Sequence, residues 1–374
     1  MITKFFSIND SMQRLEGFYT GKKTKYLQQK IKIISNLVKK RKISFAKIFN
    51  IFVSWYSYLF KLNTSGKTPV VIDIELDNRC NERCVFCRNE KGEIFDINPE
   101  SKPGQFIDKG RLDYGIFEEM AKEVKKTTLL IIPYVNGEPF IYKHLDKVLR
   151  LLKDLKMGSM LSSNGLLLNK KNIDLILSED LDQIKIHVSG FTNKIHQIQH
   201  RLGDVELIKK NLKDLSVEMK KRKSNLIVLV DYILYEHNKH EIDMFKKFND
   251  DELGFDFNIR PGNPKGMEDS EKPQPEVSAI NIPCEWLWKV MTINWNADLL
   301  PCCDYVTWNK VGGYANFVGK ENKKNASTLE PSKSIIETWN GKKIIEMRKT
   351  HREKGRAPIP ICSTCNKVGV EYKY

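Results

Sequence analysis

The sequence predicts an α/β fold, in which a partial barrel of six β/α units lies between a helical prefix and a small cysteine-rich extension. Six short apolar runs between Val70 and Gly262 alternate with amphipathic helical stretches, and this alternation is typical of parallel β/α units. The 374 residues are enough for one large core with an appendage. We therefore expect a prefix over residues 1–66, a barrel over 67–265 and an extension over 280–374.

The prefix contains one amphipathic segment, FAKIFNIFVSWYSYLF, which begins at Phe45. Apolar residues recur in it at three- and four-residue spacing, whereas Lys47, Asn50 and Ser54 fall elsewhere, so the segment is predicted to be a helix. It is too short and too interrupted to span a bilayer. We expect it either to pack on the protein's own body or a partner subunit, or to make a peripheral membrane contact through residues 43–61 with their basic neighbours.

The chain is strongly basic and rich in cysteine. Its formal net charge is +15, and the densest basic run is KKRK at residues 39–42. Such charge attracts anionic lipid, a phosphorylated substrate or nucleic acid, although a lysine-rich surface explains it equally well and a nucleic-acid partner is not expected. The N-terminus lacks the pattern of a secretory signal, so we expect the eight cysteines to be reduced thiols of a cytoplasmic protein, with membrane association as the alternative location.

The six apolar runs are the strand candidates of the barrel. In chain order they are VVIDIEL, TLLIIPYV, GSMLSS, QIKIHVSG, LIVLVDYIL and FDFNIRPG. In the first run Asp73, Glu75 and Asp77 share one parity and the apolar residues share the other, so the acidic side chains are expected to face the barrel interior. An acidic interior suits a barrel that holds a polar substrate or cofactor, and in such barrels the chemistry collects at the carboxyl ends of the strands.

Three cysteines follow the first strand directly, in CNERCVFC. Cys80, Cys84 and Cys87 are spaced by four and three residues. A structural zinc site needs four ligands and a disulfide needs two. Three thiolates suit a metal centre with one open position, and a four-iron cluster held by three cysteines leaves one iron able to bind a small molecule.

At these residues the sequence resembles the radical S-adenosylmethionine (SAM) superfamily, whose signature is a CxxxCxxC loop after the first barrel strand. Phe86, directly before the last cysteine, matches the aromatic residue that is common there. The resemblance implies a [4Fe–4S] cluster that binds SAM, and a reducing partner such as flavodoxin or ferredoxin. It also implies that one electron cleaves SAM to methionine and a 5′-deoxyadenosyl radical, which takes a hydrogen atom from the substrate.

Further matches to this superfamily lie at the ends of later strands. NGEPF at residues 136–140 resembles the family's GGE motif, with Asn136 in place of the first glycine, which implies that Glu138 and nearby carbonyls accept hydrogen bonds from the SAM ammonium group. SSNG at residues 162–165 and Ser189 stand where relatives contact the ribose or the carboxylate. The SAM-binding residues implied in this way are Phe86, Asn136, Gly137, Glu138, Ser163, Asn164 and Ser189.

The remaining five cysteines lie in the last hundred residues. Cys284 opens a run that is typical of a β-hairpin and ends at Cys302 and Cys303, and a helix then leads to the CSTC motif at residues 362–365. Taken alone, this arrangement favours a structural zinc. After a radical SAM barrel it resembles the SPASM and twitch extensions, and five cysteines imply the twitch form with one auxiliary [4Fe–4S] cluster. The implied ligands are Cys284, Cys302, Cys362 and Cys365.

Two reactions fit this architecture. In a dehydrogenation, a small sugar- or alcohol-like substrate loses a hydrogen atom and a proton from its carbinol group, the auxiliary cluster accepts the second electron, and Arg260 donates hydrogen bonds to the developing oxyanion. In an epimerisation, the spare thiol of Cys303 returns a hydrogen atom instead. The structural alternatives are that Arg260 pairs with Asp73 or Glu75 and that Cys303 is a small buried side chain.

Other possibilities stay open. Lys185 and His187 share the strand parity of Ser189 and are candidates for lining the lumen, although a hydrogen-bonded core histidine is the plainer interpretation of His187. Modification of a peptide is a third reaction. A zinc-containing RNA-binding or RNA-modifying protein is the alternative from a different class, and the sequence does not identify the substrate.

Overall fold

The computed structural model describes most of the chain. The described residues are 20–96, 104–262, 281–307, 313–318, 332, 334–363 and 365. The start of the predicted prefix, the predicted junction between barrel and extension at 265–280, and the end of the extension lie outside the described residues.

The described strands form one large sheet and a small two-stranded one. They are β1 (Val71–Ile74), β2 (Ile94–Phe95), β3 (Phe106–Ile107), β4 (Leu130–Ile132), β5 (Gly158–Ser163), β6 (Gln183–Val188), β7 (Ile227–Leu234), β8 (Asp256–Pro261), β9 (Val290–Ile293), β10 (Asp298–Leu300) and β11 (Ala315–Asn316). In the large sheet β1, β4, β5, β6, β7 and β8 are neighbours in this order and all parallel. Each of them lies within one of the six predicted runs, which confirms the α/β class.

Helices alternate with these strands. They are α1 (Thr20–Lys39), α2 (Phe45–Leu59), α3 (Tyr114–Val124), α4 (Leu145–Asp154), α5 (Lys170–Ser178), α6 (Asn193–Gln199), α7 (Val205–Arg222), α8 (Ile242–Phe248), α9 (Trp286–Lys289), α10 (Ile335–Trp339), α11 (Lys342–Lys354) and α12 (Pro360–Ser363). Asp113, Asn169 and Asp204 cap α3, α5 and α7, because their side chains accept hydrogen bonds from backbone N–H groups of the first turn. The buried faces of these helices, including Phe117 of α3, form the main hydrophobic core with Ile72 of β1.

Strand β1 has the predicted parity. Ile72 and Ile74 belong to the main core beneath the helices, whereas Asp73 and Glu75 are buried on the other side of the strand. Glu75 accepts a hydrogen bond from the backbone N–H of Trp295 (3.3 Å), and burial raises the pKa of its carboxyl to about 7. A barrel interior with buried acids is therefore part of the fold.

The extension continues the barrel sheet. β9 pairs in parallel with β1, and β10 folds back on β9 as the predicted hairpin. The helix α9 replaces the start of the predicted strand. Trp286, Leu287 and Trp288 are all buried, and one helical turn accommodates three consecutive buried side chains, whereas in a strand they would point alternately to opposite faces. Helix α11 then leads to the CSTC motif, as the sequence predicts.

The prefix closes the amino-terminal end of the barrel, and it does so with its polar face. Lys47 Nζ of α2 donates to the backbone oxygens of Lys42 (2.9 Å) and Lys156 (2.7 Å), and Asn50 Nδ2 donates to those of Thr68 (3.0 Å) and Thr127 (3.2 Å). Three of these four acceptors precede β1, β4 and β5 directly. The helix packs on the protein's own body, and the residues it buries there are polar.

Among the described residues, we find no helix with the length and apolar character needed to cross a membrane.

Candidate active site

A cavity of about 290 Å³ opens at the carboxyl ends of the barrel strands. Its wall combines the cysteine loop after β1, the turns after β4 and β5, side chains of β6 and β8, and the segment after β10. The cavity therefore lies at the barrel end that carries the chemistry in such folds. Predicted site residues that line it are Cys80, Cys84, Phe86, Cys87, Asn136, Gly137, Glu138, Ser163, Asn164, Arg260 and Cys303.

The cysteine loop presents its three thiols to this cavity. A tight turn, in which the N–H groups of Cys87 and Arg88 both donate to the carbonyl of Cys84 (2.9 Å each), brings the last two cysteines to the same side. Burial raises the pKa of Cys80 to about 12 and that of Cys84 well above its usual range. The thiols thus lie in a poorly solvated pocket, where binding of iron would replace their protons.

The loop also contacts a buried histidine that the sequence did not single out. His200 Nδ1 lies 3.0 Å from Glu82 Oε2, and the Cys84 thiol donates to the same oxygen (3.2 Å). The ring of Phe86 packs edge-on against His200 at 5.8 Å. These groups could also hold a metal through Glu82, Cys84 and His200, whose ligand atoms lie within 4.8 Å of one another.

Ser189 follows β6 directly and contacts His200. Its hydroxyl lies 2.9 Å from His200 Nε2, it is fully buried, and it is not part of the cavity wall among the described residues. His200, which the Ser189 hydroxyl contacts, lines the cavity, and direct contact between Ser189 and SAM stays a prediction. A sequence motif marks the end of a strand but does not show which side chain stands in front of it.

The NGEP turn meets the cysteine loop as predicted. Gly137 has a φ of +85°, and a β-carbon there would overlap the carbonyl oxygens of Asp77 and Arg79, so the close approach of the two loops requires glycine. Glu138 accepts hydrogen bonds from the Ser163 hydroxyl (2.9 Å) and from the backbone N–H of Asn164 (3.0 Å). Burial raises the pKa of Glu138 to about 7.

Arg260 pairs with an acid that the sequence analysis did not consider. Its guanidinium binds Asp231 of β7 through Nε. Its Nη2 lies 3.2 Å from His187 Nδ1, and His187 Nε2 lies 2.5 Å from the Ser162 hydroxyl. His187 and Asp231 meet because they are in register on adjacent parallel strands.

Both interpretations of His187 hold in part, since it is hydrogen-bonded within this cluster and also lines the cavity. This residue lines the cavity, as do Ser162 and Arg260, whereas Lys185 is buried outside the wall. Burial lowers the pKa of His187, and its hydrogen bond to Asp231 opposes that shift only in part. Burial disfavours the charged form of Asp231, but the hydrogen bond to His187 and the charge of Arg260 outweigh it, so the pKa of Asp231 falls below its usual range.

The C-terminal cysteines gather in a second place beside the cavity. Cys365 Sγ lies 3.9 Å from Asp304 Oδ2, and the backbone N–H of Cys284 donates to His351 (3.2 Å). Burial raises the pKa of Cys302, and nearby Asp304 and the other thiols raise it further. All four predicted auxiliary ligands, Cys284, Cys302, Cys362 and Cys365, are brought to one region.

The two neighbours in the PCC sequence differ in their access to the cavity. Both cysteines pack against the same small hydrophobic cluster as Cys362, but of the two it is Cys303 that lines the cavity, together with Asp304. None of the eight cysteines forms a disulfide. Soft thiolates in groups of three and four are the donors that iron–sulfur clusters need, so the residues present fit a SAM-binding cluster in the barrel and an auxiliary cluster beside it.

One signal for Asp231 was present in the sequence. It is the single charged residue of LIVLVDYIL, and an unpaired carboxylate would be costly in a strand whose residues are buried. Such an interruption predicts a charge partner on a neighbouring strand. Glu82 and His200 had no comparable signal, because they lie in irregular segments far apart in the chain.

Comparisons with known protein families agree with this site. The model of the radical SAM superfamily matches residues 74–248, and the SPASM model of an iron–sulfur cluster-binding domain matches residues 284–366. The chain belongs to the radical SAM superfamily and carries a SPASM domain. These domains imply a SAM-binding [4Fe–4S] cluster, SAM and auxiliary iron–sulfur chemistry, so the predicted cofactors are confirmed and the zinc-based RNA-binding alternative is set aside.

Individual relatives are more distant. The GTP 3′,8-cyclase of Clostridium botulinum (strain Okra / Type B1) is 26% identical over 194 residues, which cover 49% of this chain and 54% of the relative. The S-adenosylmethionine-dependent nucleotide dehydratase of Lacinutrix mariniflava is 29% identical over 133 residues, covering 35% of this chain and 25% of the relative. The chain thus spans about half the length of the first and about a quarter of the second.

Among solved structures, Streptococcus suis SuiB bound to its precursor peptide SuiA superposes with a TM-score of 0.58 at 12% identity, over 85% of this chain and 75% of that one. At this identity the likeness shows a shared fold.

Proposed function

We propose that this radical SAM enzyme oxidises a carbinol carbon of a small polar, sugar-like substrate by two electrons. The observation that carries the proposal is that His187 and Arg260, joined through Asp231, line the same cavity as the three barrel cysteines. When bound, SAM and its cluster supply the radical that removes one hydrogen atom, and the auxiliary cluster supplies an acceptor for the second electron. The enzyme uses a reductant, for which we propose flavodoxin or ferredoxin.

Arg260 is placed to bind the substrate oxygen. Asp231 holds its Nε side, so the guanidinium has a defined orientation while its side chain remains partly exposed to the cavity. A fixed cation of this kind stabilises negative charge that develops on an oxygen atom. We assign Arg260 the role of holding the substrate hydroxyl and favouring its ionisation.

His187 is the group we assign to take the proton. Its lowered pKa keeps the imidazole neutral near pH 7, as a proton acceptor must be. Nδ1 lies 3.4 Å from Asp231 Oδ2, and with the Nδ1 proton directed at that carboxylate, Nε2 accepts from Ser162 at 2.5 Å. The proton of the substrate hydroxyl then passes to His187 Nε2, directly or through the Ser162 hydroxyl.

Epimerisation is the second candidate, and the position of Cys303 favours it. This thiol lines the cavity, so it can meet a substrate bound there. The names of the relatives add peptides and nucleotides to the substrates that need testing, since SuiB binds a precursor peptide and two curated relatives are named for nucleotides.

The experiment begins with anaerobically reconstituted enzyme, SAM and a chemical reductant. Polyols, sugars, aminocyclitols, nucleotides and short peptides are screened for compounds that raise 5′-deoxyadenosine formation above the level without substrate. The active compound is then converted in deuterated water by the wild-type enzyme and by Cys303→Ala.

Oxidation predicts a product two mass units lighter, without solvent deuterium on the reacting carbon, and near-normal turnover by Cys303→Ala. A product of unchanged mass that carries solvent deuterium, lost in Cys303→Ala while 5′-deoxyadenosine still forms, would establish epimerisation instead. Activation by peptides alone would contradict the small-molecule substrate.

A further inference from the structure

One face of α2 is apolar and exposed. We call it the apolar face of α2, and it consists of Phe45, Ile48, Phe49, Phe52, Tyr56 and Leu59, continued by Phe60 and Leu62 after the helix. Phe45 alone is 82% exposed. The described residues of α2 that are exposed include no charged side chain. A contiguous aromatic and aliphatic surface of this kind marks a site of contact with another phase or molecule.

The helix cannot bury this face by rotating on its axis. Lys47, Asn50, Ser54 and Ser57 occupy the opposite face and are buried. Lys47 and Asn50 each satisfy two backbone carbonyls at the base of the barrel, and turning them outward would leave those carbonyls unpaired. On the side towards the extension, Tyr58 packs on the Trp288 ring at 5.6 Å. The outward direction of the apolar face is therefore built into the fold.

Basic residues without acids surround this face in the sequence. Residues 17–72 contain twelve lysine or arginine residues and no aspartate or glutamate. Lys39 and Arg41 are exposed before α2, and Lys61 is exposed after it. Two acids approach the basic turn from the barrel, Asp180 and Asp182, and both pair with Lys40 and Lys42.

From this arrangement we infer that the apolar face of α2 docks on an anionic lipid surface, with the helix lying in the plane of the bilayer interface. Aromatic side chains enter the boundary of the acyl chains, and the flanking lysines and arginine meet lipid phosphates. The helix has 15 residues and does not span a membrane. A protein partner would need a matching apolar groove with its own acidic rim, whereas an anionic bilayer supplies both properties without shape complementarity.

The docking surface and the reaction cavity lie at opposite ends of the barrel. The acceptors of Lys47 and Asn50 precede the strands, and the cavity lies beyond their carboxyl ends. A bilayer held at α2 therefore leaves the cavity accessible, and loss of lipid binding leaves cleavage of SAM intact. Failure of this inference and failure of the proposed reaction are for that reason distinguishable.

The test uses the full chain with both clusters reconstituted. Cosedimentation is measured with vesicles of phosphatidylcholine alone and with vesicles that contain 30% phosphatidylserine, in low and in high salt. The variant Phe45→Glu/Phe49→Glu changes the docking face. Val217→Glu/Met244→Glu is the matched control, because it adds the same charge at exposed apolar residues of α7 and α8.

We expect wild type and control to bind the anionic vesicles, and Phe45→Glu/Phe49→Glu to bind at least about tenfold more weakly with unchanged iron content and 5′-deoxyadenosine formation. High salt should weaken wild-type binding. Absence of wild-type binding, or equal binding by both variants, would overturn the inference. A wild-type dimer that becomes monomeric in Phe45→Glu/Phe49→Glu without lipid would also overturn it, since a second copy of the chain would then cover the face. Lipid binding that appears only after removal of residues 1–19 would do the same, since the chain's own segment would then cover the face.

Discussion

The two ends of the barrel both bury polar groups, but for different purposes. At the amino-terminal end, Lys47 and Asn50 of α2 are buried against backbone carbonyls, and every donor finds its acceptor within about 3.2 Å. At the carboxyl end, Glu138, His187 and Arg260 are also hydrogen-bonded, but they surround a cavity of about 290 Å³. Burial of polar groups alone therefore does not identify a functional site, whereas burial of polar groups beside a cavity does.

The pKa values separate the two ends as well. Lys47 has a pKa lowered to about 8, because burial and the nearby charge of Lys42 outweigh the effect of Asp182, but it does not line the cavity that the described residues form. Glu138 has a pKa raised to about 7 by burial, and His187 a lowered one, and both reach the cavity wall. A group with a perturbed pKa is a candidate for a functional role when a ligand can reach it. Four experiments test this difference.

The largest effect is expected from the cysteine loop at the carboxyl end. Replacing Cys80, Cys84 and Cys87 together by alanine should abolish 5′-deoxyadenosine formation and remove about four irons per chain, because one cubane loses all its protein ligands. Iron analysis and chromatography of the SAM products measure both effects. Cys303→Ala is the control and should keep the iron. Cleavage of SAM at the wild-type rate by the triple variant would refute the assignment of these ligands.

A partial loss is expected from the second cysteine group. The wild-type enzyme should contain about eight irons, and Cys362→Ala/Cys365→Ala about four, since the barrel cluster remains. SAM cleavage should persist, while substrate oxidation should stop for lack of an electron acceptor. About four irons and one firmly bound zinc in the wild type would replace the auxiliary cluster by a structural metal and remove the basis of the dehydrogenation.

A kinetic effect is expected from His187. His187→Gln should lower substrate turnover about 10²-fold or more with little change in substrate-free SAM cleavage, because a proton acceptor is lost. Burial lowers the pKa of His187 from its ordinary value of 6.5, so wild-type turnover should decline as pH falls, with a midpoint below pH 6.5, because the imidazole becomes protonated. The free energy of unfolding should change in the same direction. Because folding favours the neutral form of His187, the protein loses stability as pH falls below 6.5.

The pH-rate profile checks this assignment. The limb assigned to His187 should be absent in His187→Gln, and an identical limb in the variant would show that another group accepts the proton.

The smallest effect is expected at the amino-terminal end. Asn50→Leu keeps a side chain of similar size but leaves the carbonyls of Thr68 and Thr127 without their donor. The free energy of unfolding should fall by about 1–3 kcal/mol, as for other unsatisfied buried groups. Urea denaturation measures the change. SAM cleavage by the folded variant should equal that of the wild type, and a selective loss of cleavage would show that the two ends are coupled.

Much of this molecule is predictable from short patterns. The six barrel strands follow from runs of alternating or continuous apolar residues, and the proposal of Cys80, Cys84 and Cys87 as cluster ligands follows from their spacing within one loop. The NGEP turn could be placed beside that loop because the carboxyl ends of parallel strands share one edge. Each of these features depends on residues that are close in sequence or on a general property of the fold.

Three features were decided by contacts between distant segments. The periodicity of α2 shows that it has an apolar face. The polar face turns inward because the backbone carbonyls of Thr68, Thr127 and Lys156 accept hydrogen bonds from it. Arg260 meets Asp231, 29 residues away, because β7 and β8 are neighbours in the sheet. Ser189 stands behind His200 because α6 ends there. The sequence by itself determined the strands, the cysteine loops and the family; the tertiary structure decided which polar group faces which partner, because hydrogen-bond partners are set by packing between elements and leave no local pattern.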